Sequence, residues 1–164
     1  MPAHLSLQAA VKMATFLLTF TGMNLIVEKF MTRLPVMICH DQSLDVAHKL
    51  MREHDVRHLP VLQNGRLLGI VSQRDLYLIE SLDGVDITQV PVMDAMTTDL
   101  YAVGPRASVR KIAAEMATHH YGSAVVMDGE AVIGIFTTTD ALVTLHGVLE
   151  AAAHAPKATH AAAR

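Results

Sequence analysis

The chain of 164 residues contains no tryptophan, and aromatic residues make up 4% of its composition. Proteins that hold single-stranded nucleic acid stack the bases on aromatic side chains, so this scarcity argues against that class. The net charge of −3 argues against it too, because nucleic-acid-binding domains carry a basic surface. We therefore expect no nucleic-acid partner, and a core built from aliphatic side chains and methionine.

Cysteine is nearly absent as well. The single cysteine, Cys39, cannot form an internal disulfide, and it lies within an apolar run. We therefore expect a buried thiol with no catalytic role, in a protein of the reducing cytoplasm. The ten histidines do not provide an i, i+4 pair with a third ligand, so we expect no metal site.

Sequence signatures of enzymes are missing. There is no Gly-x-Ser-x-Gly nucleophile elbow, no P-loop and no His-Glu-x-x-His motif. This pattern favours a binding or interaction protein over an enzyme.

The apolar stretch between Lys12 and Glu28 is interrupted by three threonines, a glycine and an asparagine. It is shorter than the ~20 residues that span a bilayer, and no secretory cleavage site accompanies it. We expect residues 1–22 to form an accessory helix or arm, or an upstream extension if translation starts at Met23. The Ala/His-rich residues 150–164 are predicted to be a helix end that runs into a disordered tail.

The chain does contain a repeat. A shift of 65 positions superimposes Met31-Thr32 on Met96-Thr97, Gly69-Ile70 on Gly134-Ile135 and Asp75 on Asp140. A unit of ~60 residues is at the small end of what buries its own core. We therefore predict that repeat 1 (residues 23–82) and repeat 2 (91–149), joined by a linker (83–90), pack face to face with pseudo-twofold symmetry. Functional sites are expected in the clefts between them.

The hydrophobic period changes in the same order in both repeats, which predicts an α+β fold of two tandem β-α-β-β-α units. The Asn64-Gly65 pair is a strong hairpin signal. Predicted strands cover residues 35–39, 58–62, 67–72, 100–103, 123–127 and 132–137, and predicted helices begin at Ser43, Gln73, Ser108 and Thr138.

Four phrases resemble a known family in order: FMTRLPV, VRHLPVLQNGRLLGIVSQRDL, AMTTDLYAV and YGSAVVMDGEAVIGIFTTTDAL. They are similar to a pair of cystathionine β-synthase (CBS) domains, a Bateman module, over residues 26–148. The resemblance implies a regulatory, non-catalytic module, usually a homodimer, that binds AMP, ADP, ATP or S-adenosylmethionine between its units. It implies no obligatory cofactor, and an effector protein that the sequence does not identify.

Each repeat has a strand that ends in a hydroxyl residue and opens a helix, at Ser72-x-x-Asp75 and at Thr137-x-x-Asp140. The start of a helix suits a phosphate. The resemblance implies phosphate or ribose contacts for Ser72 and Thr137, and ribose hydroxyl contacts for Asp75 and Asp140. The same pattern also occurs in ordinary capping boxes, and the two interpretations are compatible.

The resemblance further implies that Arg57-His58 contacts ligand phosphates, although these side chains could instead face solvent at a strand edge. Repeat 2 has Gly122-Ser123 at these positions, and Thr139 where repeat 1 has Arg74. If all three basic residues serve one cleft, a phosphorylated ligand should fill that cleft first and Ser123 should contribute little. The sequence leaves open which cleft this is.

A base would need an apolar slot, which the first strand of each repeat can provide. The candidates are Val36, Met37, Ile38, Leu100, Tyr101 and Ala102. Tyr101 could stack on a purine or lie at the rim of the core.

Two expectations concern assembly. Outer apolar helix positions predict a homodimer, among them Leu76, Ile79, Leu142 and Leu145. The alternative to a ligand sensor is an interaction module that needs no ligand, with its clefts closed by Met and Leu side chains.

Overall fold

The computed structural model describes residues 25–153, which form four α-helices and two β-sheets. A short strand, β1 (Thr32–Arg33), comes first. Repeat 1 continues with β2 (Ile38–Cys39), α1 (Leu44–Glu53), β3 (His58–Gln63), β4 (Arg66–Ser72) and α2 (Gln73–Glu80). Repeat 2 contains β5 (Ala102–Val103), α3 (Val109–His119), β6 (Ser123–Asp128), β7 (Ala131–Thr137) and α4 (Thr138–Ala153).

The predicted β-α-β-β-α order is confirmed in both repeats. Asn64 and Gly65 have φ values of +52° and +80°, the left-handed pair that the tight β3–β4 hairpin requires. The expectations for residues 1–22 lie outside the described residues, as does the tail beyond residue 153. Residues 150–153, at the start of that predicted tail, form the end of α4, since alanine continues a helix readily.

The predicted strands over 35–39 and 100–103 pair with a neighbour only in their last two residues. Ile38 lies opposite Val61, and Ala102 lies opposite Val125, in parallel ladders at the sheet edges. The expected burial of Cys39 is wrong: its side chain is exposed, because successive strand residues alternate and Ile38 occupies the inward position.

Two apolar clusters form the core, one on each sheet. The first includes Leu59 and Leu76 of repeat 1 together with Val92 from the start of repeat 2. The second includes Phe136 of repeat 2 together with Val27 from the start of repeat 1. The opening segment of each repeat therefore packs in the core of the other repeat.

The backbone of each opening segment also pairs with the sheet of the other repeat. Strand β1 pairs with β7, with Thr32 opposite Ile135. Their counterparts in the repeat, Thr97 and Ile70, pair in the same way. The N–H groups of Ile70 and Thr97 donate to each other's carbonyl oxygens at 2.9 and 2.8 Å. Because each opening segment crosses to the other sheet, the space between the repeats is bounded by residues of both.

Some apolar helix positions are covered within the chain and others are exposed. Leu76 is fully buried in the first apolar cluster, and Ile79 packs against that cluster. The prediction that these two residues lie on an outer helix face is therefore wrong. Leu142 and Leu145 of α4 are exposed, as expected. Within residues 25–153, no helix is both long enough and apolar enough to cross a membrane.

Candidate functional site

Two clefts, of about 660 and 640 Å³, lie between the repeats. We call them the Asp140 cleft and the Asp75 cleft after the aspartate in each. With the exception of His54, every residue that lines the Asp140 cleft has its counterpart, 65 positions away, on the Asp75 cleft. The internal repeat has therefore produced two equivalent binding spaces with different side chains.

A capping box forms one end of each cleft. In the Asp140 cleft, Oδ2 of Asp140 accepts hydrogen bonds from the backbone N–H and the hydroxyl of Thr137, both at 2.7 Å. In the Asp75 cleft, Oδ2 of Asp75 accepts from the same groups of Ser72 at 2.8 and 2.6 Å. The capping interpretation is confirmed, and because both bonds end on Oδ2, they leave Oδ1 for another partner.

Backbone groups at the start of α4 are largely engaged within the protein. The N–H of Thr138 donates to the carbonyl oxygen of Gly122 at 3.1 Å, and that of Asp140 donates to the Thr137 hydroxyl at 3.3 Å. A phosphate at this helix end would therefore depend mainly on nearby side chains.

Arg57 is the cation of the Asp140 cleft. Although it belongs to repeat 1, its Nη2 donates to the hydroxyl of Thr139 in repeat 2 at 3.1 Å. Arg74, which aligns with Thr139, lines the Asp75 cleft. Each cleft therefore has an arginine near its helix start. All three basic residues line the Asp75 cleft, and two of them, Arg57 and His58, line the Asp140 cleft as well, so the basic side chains are not confined to one cleft.

His58 lies between the two clefts and lines both of them, as Arg57 does. Its ring covers Gly122 so closely that a Cβ there would lie 2.6 Å from Nε2. Burial lowers the pKa of His58, as does the charge of Arg57, while Asp75 acts in the opposite direction. The ring is therefore mainly uncharged at neutral pH and can offer a phosphate a hydrogen bond but little charge.

The predicted apolar slot residues separate into two groups. Val36 lines the Asp140 cleft, and Leu100 and Tyr101 line the Asp75 cleft. Ser123, the counterpart of His58 rather than a slot residue, also lines the Asp75 cleft. The other three do not line either cleft: Ile38 is in the core, and Met37 and Ala102 are exposed elsewhere.

Sequence inspection missed the residues between the first helix and the next strand of each repeat. Asp55 and His120 have φ values of +51° and +59°, and the turns there bring Val56 and Tyr121 to the cleft walls. Val56 and Tyr121 are 65 residues apart, so identifying one of them as a cleft residue would have pointed to the other through the internal repeat.

The apolar wall differs most between the clefts. In the Asp75 cleft, the rings of Tyr101 and Tyr121 stack with centroids 5.7 Å apart and planes 20° from parallel. Their counterparts in the Asp140 cleft are Val36 and Val56. One cleft therefore has a branched aliphatic wall and the other a stacked aromatic pair.

Comparison with known proteins identifies both repeats. The family model of the CBS domain matches residues 27–79 and 90–147. The CBS domain-containing protein YhcV of Bacillus subtilis is 30% identical over 114 residues, which cover 70% of this chain and 81% of YhcV. Inosine-5′-monophosphate dehydrogenase of Korarchaeum cryptofilum is 32% identical over 114 residues, but this chain spans only 23% of its length.

Solved structures agree on the fold. A Vibrio cholerae protein to which acetoin utilization has been ascribed (AcuB) matches with a TM-score of 0.72 and 32% identity, covering 82% of this chain and 100% of that one. The CBS domain pair of protein MJ0100, in complex with 5′-methylthioadenosine and S-adenosyl-L-methionine, matches with a TM-score of 0.66. It is 22% identical and covers 74% of this chain and 96% of that one, so this likeness concerns the fold alone.

Proposed function

The chain belongs to the CBS domain family, and from that premise we propose that it is a regulatory module that binds an adenosine-containing ligand between its repeats. AMP, ADP, ATP and S-adenosylmethionine are the candidates. One observation carries the proposal: the Asp140 cleft combines a carboxylate with an unused oxygen, an aliphatic wall and an arginine. The adenosyl ligands of MJ0100 support the same ligand class.

Each part of a nucleotide has a partner in this cleft. Oδ1 of Asp140 can accept hydrogen bonds from two vicinal ribose hydroxyls while Oδ2 keeps its bonds to Thr137. Val36 and Val56 offer the base an apolar slot. Arg57, already at the helix start through Thr139, can meet a phosphate there.

A thermal-shift panel of AMP, ADP, ATP, NAD and S-adenosylmethionine tests the ligand class. A ligand at a hundred times its Kd stabilises the native state by about 2.7 kcal/mol, which raises the melting temperature by several degrees. If none of the five compounds raises it at millimolar concentration, the alternative of a ligand-independent interaction module is favoured. The open clefts argue against that alternative, since Met and Leu side chains do not close them.

Arg57→Ala is expected to weaken AMP binding tenfold or more and to leave adenosine binding nearly unchanged. A hydrogen bond to a charged group contributes about 1.5–3 kcal/mol, and a factor of ten corresponds to about 1.4 kcal/mol. Calorimetric titration of both ligands measures the difference. Ser123→Ala is the matched control and should bind both ligands as the parent does. An equal loss for AMP and adenosine would mean that Arg57 does not contact the phosphate.

We also propose that the module forms a homodimer in the cytoplasm and passes its ligand state to an effector protein. Leu142, Leu145 and Leu149 are each at least half exposed, and their spacing places them on one face of α4. Light scattering should give twice the mass of the chain at micromolar concentration. Leu142→Glu should shift the protein toward monomer, whereas Met93→Glu, at an exposed apolar position outside α4, should not. A parent that is monomeric with and without AMP would contradict this prediction.

A further inference from the structure

We propose that the stacked pair Tyr101 and Tyr121 excludes a purine base from the Asp75 cleft, so that adenosine-containing ligands bind in the Asp140 cleft alone. The inference rests on the proposed function and states which of the two clefts accepts the ligand. It identifies the apolar wall, rather than the charge, as the selecting feature.

The distance between the rings is too small for a base to enter. A base held between two aromatic rings needs about 7 Å between their planes, twice the optimal separation of ~3.5 Å between carbon atoms. The centroids of Tyr101 and Tyr121 are 5.7 Å apart, and the planes of a nearly parallel pair lie no farther apart than the centroids. The two tyrosines therefore occupy the space that a base would fill.

Neighbouring groups hold the pair in place. His119 stacks on Tyr121 with ring centroids 5.3 Å apart and planes 16° from parallel. The Nδ1 atom of His119 is in turn 3.3 Å from a carboxylate oxygen of Glu115. The carbonyl oxygen of Tyr101 accepts a hydrogen bond from Val125 at 2.9 Å, which fixes its backbone to β6. Opening a slot would require Tyr121 to leave two stacked neighbours.

The matching wall of the Asp140 cleft has no such obstruction. Val36 and Val56 stand at the positions of Tyr101 and Tyr121, and neither has a ring to fill the slot. The polar groups at the two helix starts are close equivalents, with Thr137 and Asp140 in one cleft and Ser72 and Asp75 in the other. Arg57 lines both clefts, and Arg74 lines the Asp75 cleft.

The charged groups do not favour the Asp140 cleft. Each cleft is lined by two aspartates, Asp55 and Asp140 in one and Asp75 and Asp99 in the other. Arg57 lines both clefts, and Arg74 adds a second arginine to the Asp75 cleft alone. Charge would therefore not keep a phosphorylated ligand out of the Asp75 cleft, and the exclusion rests on the aromatic wall.

Calorimetric titration with AMP tests the proposal through stoichiometry. The parent should bind one AMP per chain, and the double variant Tyr101→Val, Tyr121→Val should bind two. The reciprocal variant Val36→Tyr, Val56→Tyr should lose the single parental site. Two sites in the parent, or one site in a folded double variant, would overturn the proposal.

A second measurement needs no variant. All three tyrosines of the chain, Tyr77, Tyr101 and Tyr121, line the Asp75 cleft, so their ring NMR signals report on this cleft. One equivalent of AMP should leave the Tyr101 and Tyr121 signals in place, and large shifts of both would overturn the proposal. If AMP, ADP, ATP and S-adenosylmethionine bind to neither the parent nor the double variant, the proposed function fails and this inference fails with it.

Discussion

Asp140→Ala is expected to weaken AMP binding at least tenfold, the largest effect of any single side chain in the clefts. The carboxylate is the only group we assign to the ribose, and hydrogen bonds to a charged acceptor contribute about 1.5–3 kcal/mol each. Losing both ribose bonds would therefore exceed the ~1.4 kcal/mol that corresponds to a tenfold change. Calorimetry on the folded variant measures it, with adenosine as a second ligand that should be weakened equally.

The pseudo-equivalent variant Asp75→Ala provides the control. Both aspartates make the same capping bonds, so each variant should lose about 1 kcal/mol of stability and melt roughly 2–4 °C lower. Only Asp140→Ala should lose affinity, because Asp75 lies in the cleft where the tyrosines occupy the space for a base. Equal affinities of Asp140→Ala and the parent would remove the ribose assignment. A comparable loss in Asp75→Ala would instead show that the Asp75 cleft binds nucleotide.

Gly69→Ala is expected to destabilise the fold by about 2–3 kcal/mol, at the upper end of what overpacking costs. An added Cβ would lie 2.6 Å from the carbonyl oxygen of Thr97, a backbone atom that accepts the hydrogen bond of Ile70. The methyl group can be accommodated only by moving the segment that crosses between the repeats. Urea unfolding of parent and variant, compared at equal m-values, gives the difference in unfolding free energy.

Alanine variants of two further glycines serve as controls. They separate the effect of a clash with the backbone from the general effect of adding a methyl group. The three atoms nearest to a Cβ at Gly134 all belong to the Met31 side chain, which can move, so Gly134→Ala should cost less than Gly69→Ala. Gly147 lies within α4 with open space around it, so Gly147→Ala should be neutral or stabilising by up to ~1 kcal/mol. A Gly69→Ala variant as stable as the parent would show that the crossing segment adapts at little cost.

The order of the elements could be predicted from the sequence because local patterns determine it. Asn64-Gly65 specifies its hairpin, and Ser72 and Thr137 begin helices through bonds to a residue three positions away. The crossing of the opening segments could not be predicted. Strand β1 has two residues, too few to show a period, and its partner in β7 is roughly a hundred residues away.

The candidate site was predictable to a similar extent. The aspartate positions follow from the repeated motif. The contact of Arg57 with Thr139 does not, because the arginine side chain reaches from repeat 1 to repeat 2. Tyr101 was recognised as a residue that could stack, yet its partner proved to be Tyr121, which is 20 residues away and in a turn. Cys39 was misplaced because a shift of one residue along a strand reverses the side that a side chain faces.

The crossing of the opening segments also sets the order in which the protein can be completed during synthesis. Thr32 leaves the ribosome roughly 100 residues before its partner Ile135, a delay of about 5–20 s at ordinary elongation rates. During that time the nascent first repeat has its opening segment without the sheet on which it packs. The Asp140 cleft needs Asp140 as well as Val36 and Arg57, so it is the last part of residues 25–140 to form. The proposed nucleotide site is therefore complete only after nearly the whole described chain has been made.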